Sequence, residues 1–96
     1  MSDATTDAGS VRVWLVERTF SDDEQNIVIL VYATPDGGQY FRKERALTSF
    51  GDVRDVTAAV ETSPDNLGDV EDPDERETYA REATRMRDRH DPDDVI

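Results

Sequence analysis

The sequence contains no cysteine, which excludes disulfide bonds, thiolate nucleophiles and cysteine-ligated metals. Its single histidine, His90, has no second imidazole or thiolate with which to form a zinc site. No apolar run approaches the roughly 20 residues that a helix needs to cross a membrane. The opening segment MSDATTDAGS has neither the basic nor the apolar region of a signal peptide. We therefore expect a soluble, cytoplasmic protein that carries no metal and no cofactor.

Lysine is nearly absent as well. Lys43 is the only lysine among 11 basic residues, which face 23 acidic residues, so the formal net charge is −12. An excess of short carboxylates with little lysine is typical of proteins in concentrated salt, where a Debye length of about 3 Å at 1 M nearly abolishes repulsion between surface charges. The composition therefore predicts a halophilic protein with an acidic surface. The alternative is an ordinary acidic protein that binds a basic partner.

The apolar residues are gathered in blocks, so we expect a folded chain although 35% of the residues are charged. A length of 96 residues supports one domain with one modest core. We predict a disordered tail over residues 1–10, a single domain over residues 11–90 and a mobile C-terminal tail over residues 91–96.

Three strands are predicted in the first half of the chain, at Val11 to Phe20, Ile27 to Thr34 and Gln39 to Leu47. The stretch TPDGG between the second and third strands has the proline, aspartate and glycine of a hairpin turn. Strict alternation along the first strand places Glu17 on one side of the sheet and Arg18 on the other, beside Trp14.

The first two strands are apolar on both sides, in the stretches VWLV and IVILVYA. Each side of the sheet therefore needs a cover. A helix can cover one side, and we predict that a homodimer contact covers the second.

A helix is predicted from Pro73 to His90, because Asp72 is a good N-cap residue and proline suits the first helical position. Tyr79, Ala83 and Met86 form a stripe that can pack on the sheet. The segment before it is ambiguous: a short helix over residues 48–60, or a fourth strand over residues 56–61, which the β-branched residues favour. The predicted fold is α+β, an antiparallel sheet of three to four strands with one C-terminal helix across one face.

The stretches VRVWLVERTF, NIVILVYATPDG, YFRKERAL and ERETYAREATRMRDRHDPDD together resemble small haloarchaeal proteins of unknown function, over about residues 11–96. The resemblance implies a salt-rich cytoplasm. It implies no activity and no functional residues.

One stretch has the composition of a binding surface. Aromatic side chains beside basic ones can stack bases and hold phosphates, and the third strand carries such a set. These candidate binding residues are Tyr40, Phe41, Arg42, Lys43 and Arg45. Arg12 and Arg18 could extend them. The structural alternative is a charged edge strand whose aromatic residues belong to the core.

The remaining polar groups predict little chemistry. Arg81, Arg85 and Arg89 follow one side of the predicted helix and are explained by a solvated arginine face. His90 with its neighbouring aspartates matches no cation-binding loop and suits a helix C-terminus. We therefore expect no enzyme and no catalytic residue, but a non-enzymatic interaction or assembly module. The alternative is a nucleic-acid-associated protein that uses the Tyr40–Arg45 strand.

Overall fold

Five antiparallel strands form one sheet in the computed structural model, which describes residues 9–21, 27–46 and 56–96. The strands are β1 (Val11–Ser21), β2 (Ile27–Ala33), β3 (Gln39–Ala46), β4 (Ala59–Thr62) and β5 (Gly68–Asp69). Their order in the sheet is β4-β1-β2-β3-β5. The predicted α+β class is confirmed. The sheet is wider than predicted, because the two-residue strand β5 pairs with the start of β3.

One helix, α1 (Pro73–Arg89), crosses β1 and β2 on one side of this sheet. The Asp72 side chain caps its first turn by accepting a 3.0 Å hydrogen bond from the amide of Asp74, and Pro73 occupies the first helical position. Tyr79 and Ala83 are buried against the sheet. The predicted helix and its packing stripe are confirmed.

The β2–β3 hairpin turn packs against the backbone of this helix at Arg76 and Ala80. The amide of Gly37 donates a 2.8 Å hydrogen bond to the carbonyl of Thr34, and Gly37 has a φ of +73°. The Asp36 carboxylate accepts hydrogen bonds from the Thr34 hydroxyl (2.7 Å) and the Gly38 amide (2.9 Å). The Thr34 hydroxyl, and then the Gly38 amide, lower the pKa of Asp36 because they favour its charged form. The predicted turn at TPDGG is confirmed.

A β-bulge at Val16 changes which residues share a side of the sheet. Leu15 pairs with Tyr32, but Glu17 pairs with Val31, so β1 contains one residue more than β2 over this stretch. Glu17 therefore lies on the same side as Trp14, and Arg18 lies on the opposite side. The strict alternation predicted for β1 is wrong after Leu15 for this reason.

Both sides of the sheet carry a core within one chain. The helix side buries Trp14, Val31 and Ala33 with Tyr79. The opposite side buries Val13, Leu15, Val28, Leu30 and Tyr32, each at most 5% exposed. This burial removes the exposed apolar surface that motivated the homodimer, which stays a prediction.

The segment from Val56 to Thr62 is extended, so the predicted fourth strand is confirmed for Ala59–Glu61 and the alternative helix is wrong over residues 56–60. Residues 48–55 of that prediction lie outside the described residues. Residues 91–96, predicted to be a mobile tail, run beside residues 56–59. The amides of Ala58 and Ala59 donate to the carbonyls of Asp94 and Pro92, and the Ile96 amide donates to the Val56 carbonyl, all at 2.9–3.0 Å.

Candidate functional site

The five candidate binding residues of the third strand do not share one surface. Cross-strand pairing places Tyr40 and Arg42 on the helix side of the sheet, opposite Ala33 and Val31. Phe41, Lys43 and Arg45 lie on the other side, opposite Tyr32, Leu30 and Val28. The continuous aromatic and basic platform expected from the sequence is therefore divided in two.

Tyr40 packs closely on β5. A Cβ atom at Gly68 would lie 2.7 Å from a carbon of the Tyr40 ring, so the absence of a side chain at Gly68 makes room for that ring. Arg42 lies two residues further along β3 and forms a 2.9 Å ion pair with Glu44. Tyr40 is held by packing, and the charge of Arg42 is partly balanced by its neighbour.

A cleft of about 520 Å³ opens beside Tyr40, between the sheet and the first turn of α1. We call it the tyrosine cleft. Its walls contain two tyrosines, two valines, five carboxylates and one arginine: Tyr40, Tyr79, Val31, Val70, Glu17, Asp69, Glu71, Asp72, Glu75 and Arg42. Carboxylates thus outnumber cations five to one around an aromatic and aliphatic floor.

The position of Tyr79 shows the electrostatic character of this cleft. Tyr79 is 8% exposed, and its hydroxyl donates a 3.3 Å hydrogen bond to the Glu75 carboxylate. Burial, followed by the negative charges of Glu17 and Glu75, raises the pKa of Tyr79 to about 12. The part of this shift that comes from Glu17 and Glu75 reflects the two negative charges beside the hydroxyl.

Glu17 joins the cleft only because of the bulge at Val16. Strict alternation assigned it to the side opposite Trp14, whereas the bulge turns it toward Tyr79. The sequence predicted Tyr79 as a packing residue but gave it no role in a site. A local signal for the cleft exists only in the acidic stretch from Asp69 to Asp72 before the helix.

The bulge also gathers cations on the side of the sheet opposite α1, which we call the basic side. Arg18 lies in one transverse row with Leu30 and Lys43, and the next row contains Phe20, Val28 and Arg45. Arg12, which the sequence offered as part of the same surface, lies on the helix side and forms a 2.8 Å ion pair with Glu61.

A family model described as a family of unknown function, DUF7967, matches residues 7–96. The chain belongs to this family. The match covers β1 to β5 and α1. No curated protein and no solved structure matches the chain.

A second cleft of about 530 Å³ lies along α1 of this DUF7967 member and contains the three arginines that follow one side of the helix; it is lined by Ala80, Arg81, Thr84, Arg85, Asp88 and Arg89. Arg85 pairs with Glu82 at 3.5 Å, and Arg87 lies 3.9 Å from Asp88. The Nδ1 atom of His90 lies 3.6 Å from the Asp94 carboxylate at the end of the helix. Within residues 9–21, 27–46 and 56–96, no group of three histidine or acidic side chains could hold a metal ion. No helix in these ranges is long and apolar enough to cross a membrane.

Proposed function

We propose that this DUF7967 protein is a non-enzymatic interaction module that binds a basic segment of a partner protein in the tyrosine cleft. The observation that carries the proposal is the lining of this cleft. Two tyrosine rings and two valines form its floor and walls, and five carboxylates surround them.

A lysine or arginine side chain has the chemistry to occupy such a cleft. Its cationic end can contact the carboxylates of Glu17 and Glu75 and the face of a tyrosine ring, an arrangement that favours cations over neutral groups. Its aliphatic stem can lie against the half-buried Tyr40, since Val31 and Val70 are at most 7% exposed. An anionic ligand would be repelled by the same carboxylates.

We also propose that the protein works in a salt-rich cytoplasm, which the net charge of −12 supports. Concentrated salt weakens ion pairs between exposed groups. Contact with aromatic rings and burial of an aliphatic stem are screened far less. A cleft that combines tyrosines with carboxylates therefore retains selectivity where a purely acidic patch would lose it.

Titration with hexa-arginine in concentrated KCl, followed by NMR and by calorimetry, tests this proposal. We expect the aromatic signals of Tyr40 and Tyr79 to shift. The double substitution Glu17→Gln with Glu75→Gln should weaken binding about tenfold, or ~1.4 kcal/mol. The matched control is Glu77→Gln with Asp93→Asn, which removes two exposed carboxylates outside the cleft. Equal weakening in both variants, or binding that disappears in concentrated KCl, would mean only diffuse attraction and would refute the cleft as the binding site.

The partner predicted from the sequence is a second copy of the chain, bound through the side of the sheet opposite α1. Since the central residues of that side are buried in one chain, a homodimer would have to form on its exposed parts, such as Phe20, which is 54% exposed. Light scattering in concentrated KCl distinguishes monomer from dimer.

The nucleic-acid alternative can no longer use all five candidate binding residues together, because Tyr40 and Arg42 face the helix side. The charge distribution favours the basic side as the place for such an interaction.

A further inference from the structure

Cations are gathered on the outer side of α1, along the second cleft of about 530 Å³. We call this cleft the arginine groove. Its lining contains three arginines, one aspartate and two small residues: Arg81, Arg85, Arg89, Asp88, Ala80 and Thr84. The arginines are exposed, and because they recur at every fourth residue they lie about 6 Å apart along the helix axis. In a chain with 23 acidic and 11 basic residues, this surface has the opposite sign to the chain as a whole.

Most of this positive charge is not balanced by the part of the chain that the structure describes. Arg81 and Arg89 form no ion pair with any described residue, and the arginine between them shares its charge with Glu82 at 3.5 Å. Asp88, the one acidic residue in the lining, lies 3.9 Å from Arg87, which is outside the groove. Two guanidinium groups are therefore available to carboxylates of another molecule.

Helix geometry keeps the arginine groove away from the tyrosine cleft of the same chain. Arg81 and Arg85 each lie two residues from Ala83, which is fully buried against the sheet, so they point about 160° away from it around the helix axis. The tyrosine cleft lies between the sheet and the first turn of α1, and the two surfaces share no residue. The arginine groove cannot occupy its own cleft, but it is open to the cleft of another molecule.

On the basis of the proposed function, we infer that the basic segment bound in the tyrosine cleft is the arginine groove of a second copy of this chain. The lining charges are complementary, since five carboxylates and one arginine meet three arginines and one aspartate. Guanidinium groups form paired hydrogen bonds with carboxylates and stack on aromatic faces. Arg81 and Arg89 can make the first contact with Glu17 and Glu75, and the second with the half-buried ring of Tyr40.

This contact joins two different surfaces, so it is head-to-tail. Each copy that uses its groove still has a free cleft, and the assembly continues into longer chains or closes into a ring. A homodimer formed through the side of the sheet opposite α1 would instead join the same surface of both copies and stop at two. The two modes of association therefore give different masses and respond to different substitutions.

Light scattering on two complementary variants in concentrated KCl tests the inference. The cleft variant is Glu17→Gln with Glu75→Gln, and the groove variant is Arg81→Gln with Arg89→Gln. We expect the parent to form assemblies larger than a dimer as its concentration rises. Each variant alone should associate at least about tenfold more weakly, because it lacks two charge-assisted contacts. An equimolar mixture should form a dimer and no larger species, because only one intact groove and one intact cleft can meet.

Two controls accompany this experiment. Arg12→Gln with Lys43→Gln removes two exposed cations outside both surfaces and should leave the assembly unchanged. The groove variant should still bind hexa-arginine, because its cleft is intact. A parent that stays monomeric while hexa-arginine shifts the signals of Tyr40 and Tyr79 would overturn the inference and leave the proposed function standing.

The remaining outcomes also decide the matter. Dimers in each variant alone would indicate contact between identical surfaces elsewhere and would overturn the inference. Failure of the mixture to associate, together with failure of hexa-arginine to bind, would refute the proposed function as well. A dimer that appears only in the mixture would support both.

Discussion

Gly37 of the β2–β3 turn lies directly against the backbone of α1, where a Cβ atom would be 2.8 Å from the amide nitrogen of Ala80 and closer still to the carbonyl oxygen of Arg76. The positive φ of Gly37 adds a second constraint. We expect Gly37→Ala to lower the free energy of unfolding by about 3 kcal/mol, since the left-handed conformation and the backbone contact each cost about 1–2 kcal/mol.

Chemical denaturation in concentrated KCl measures this effect, and Gly38→Ala is the matched control. A Cβ at Gly38 would come no closer than 3.3 Å, to a carboxylate oxygen of Asp36 that would have to shift by only a few tenths of an ångström, and the φ of Gly38 is not positive. We expect a loss below about 1 kcal/mol for this control. Similar losses in the two variants would mean that the turn does not pack against the helix as the structure shows.

The C-terminal segment provides a second test through Ile96, which is half-buried and packs against the cores on both sides of the sheet. We expect Ile96→Ala to cost about 1–2 kcal/mol of unfolding free energy. Val95→Ala should cost less than about 0.5 kcal/mol, because Val95 is 63% exposed.

Hydrogen exchange can distinguish the pairing of residues 91–96 with residues 56–59 from the mobile tail that the sequence predicts. The amides of Ala58 and Ala59 donate to the carbonyls of Asp94 and Pro92, so they should exchange slowly and lose protection when residues 92–96 are removed. Fast exchange of both amides in the intact chain would instead support the mobile tail.

The elements that the sequence predicted correctly are those with local signals. Asp72 and Pro73 mark the start of α1 through the geometry of a helix cap, and the TPDGG stretch marks a turn through the backbone preferences of proline and glycine. Neither depends on distant contacts. The starts of β1, β2 and β3 were predicted correctly for a similar reason, because polar segments precede them.

The candidate site could not be predicted, because it depends on the register between strands. Trp14, Leu15 and Val16 are all apolar, so alternation gives no information on where an extra residue is inserted. The bulge at Val16 then decides the sides of Glu17 and Arg18. The pairing of residues 91–96 with residues 56–59 depends equally on distant contacts, for which the short polar tail has no local pattern.

The buried hydroxyl of Tyr79 predicts a loss of stability at high pH. Its folded-state pKa of about 12 lies above the ordinary tyrosine value of 10.0, so its contribution is fully present below pH 10 and is lost as pH rises toward 12. We expect the denaturation midpoint to fall over this window together with the appearance of tyrosinate absorbance. Tyr79→Phe should reduce the fall, and the part that remains includes the contribution of Tyr32, whose pKa is also raised by burial. Titration of all tyrosines near pH 10 would contradict the burial of this hydroxyl between Glu17 and Glu75.

The charge balance predicts that stability rises with salt. At a net charge of −12, repulsion between carboxylates loosens the fold in dilute buffer, and screening removes that repulsion. We expect the melting temperature to increase steeply between about 0.2 M and about 3 M KCl. A variant with Asp65→Asn, Glu77→Gln and Asp93→Asn, all at exposed positions, should be more stable than the parent at low salt and should gain less from KCl. Its control, Asp65→Glu, Glu77→Asp and Asp93→Glu, keeps every charge and should follow the parent. A melting temperature that is flat or falls with KCl would refute the halophilic prediction, because screening would then have no repulsion to relieve.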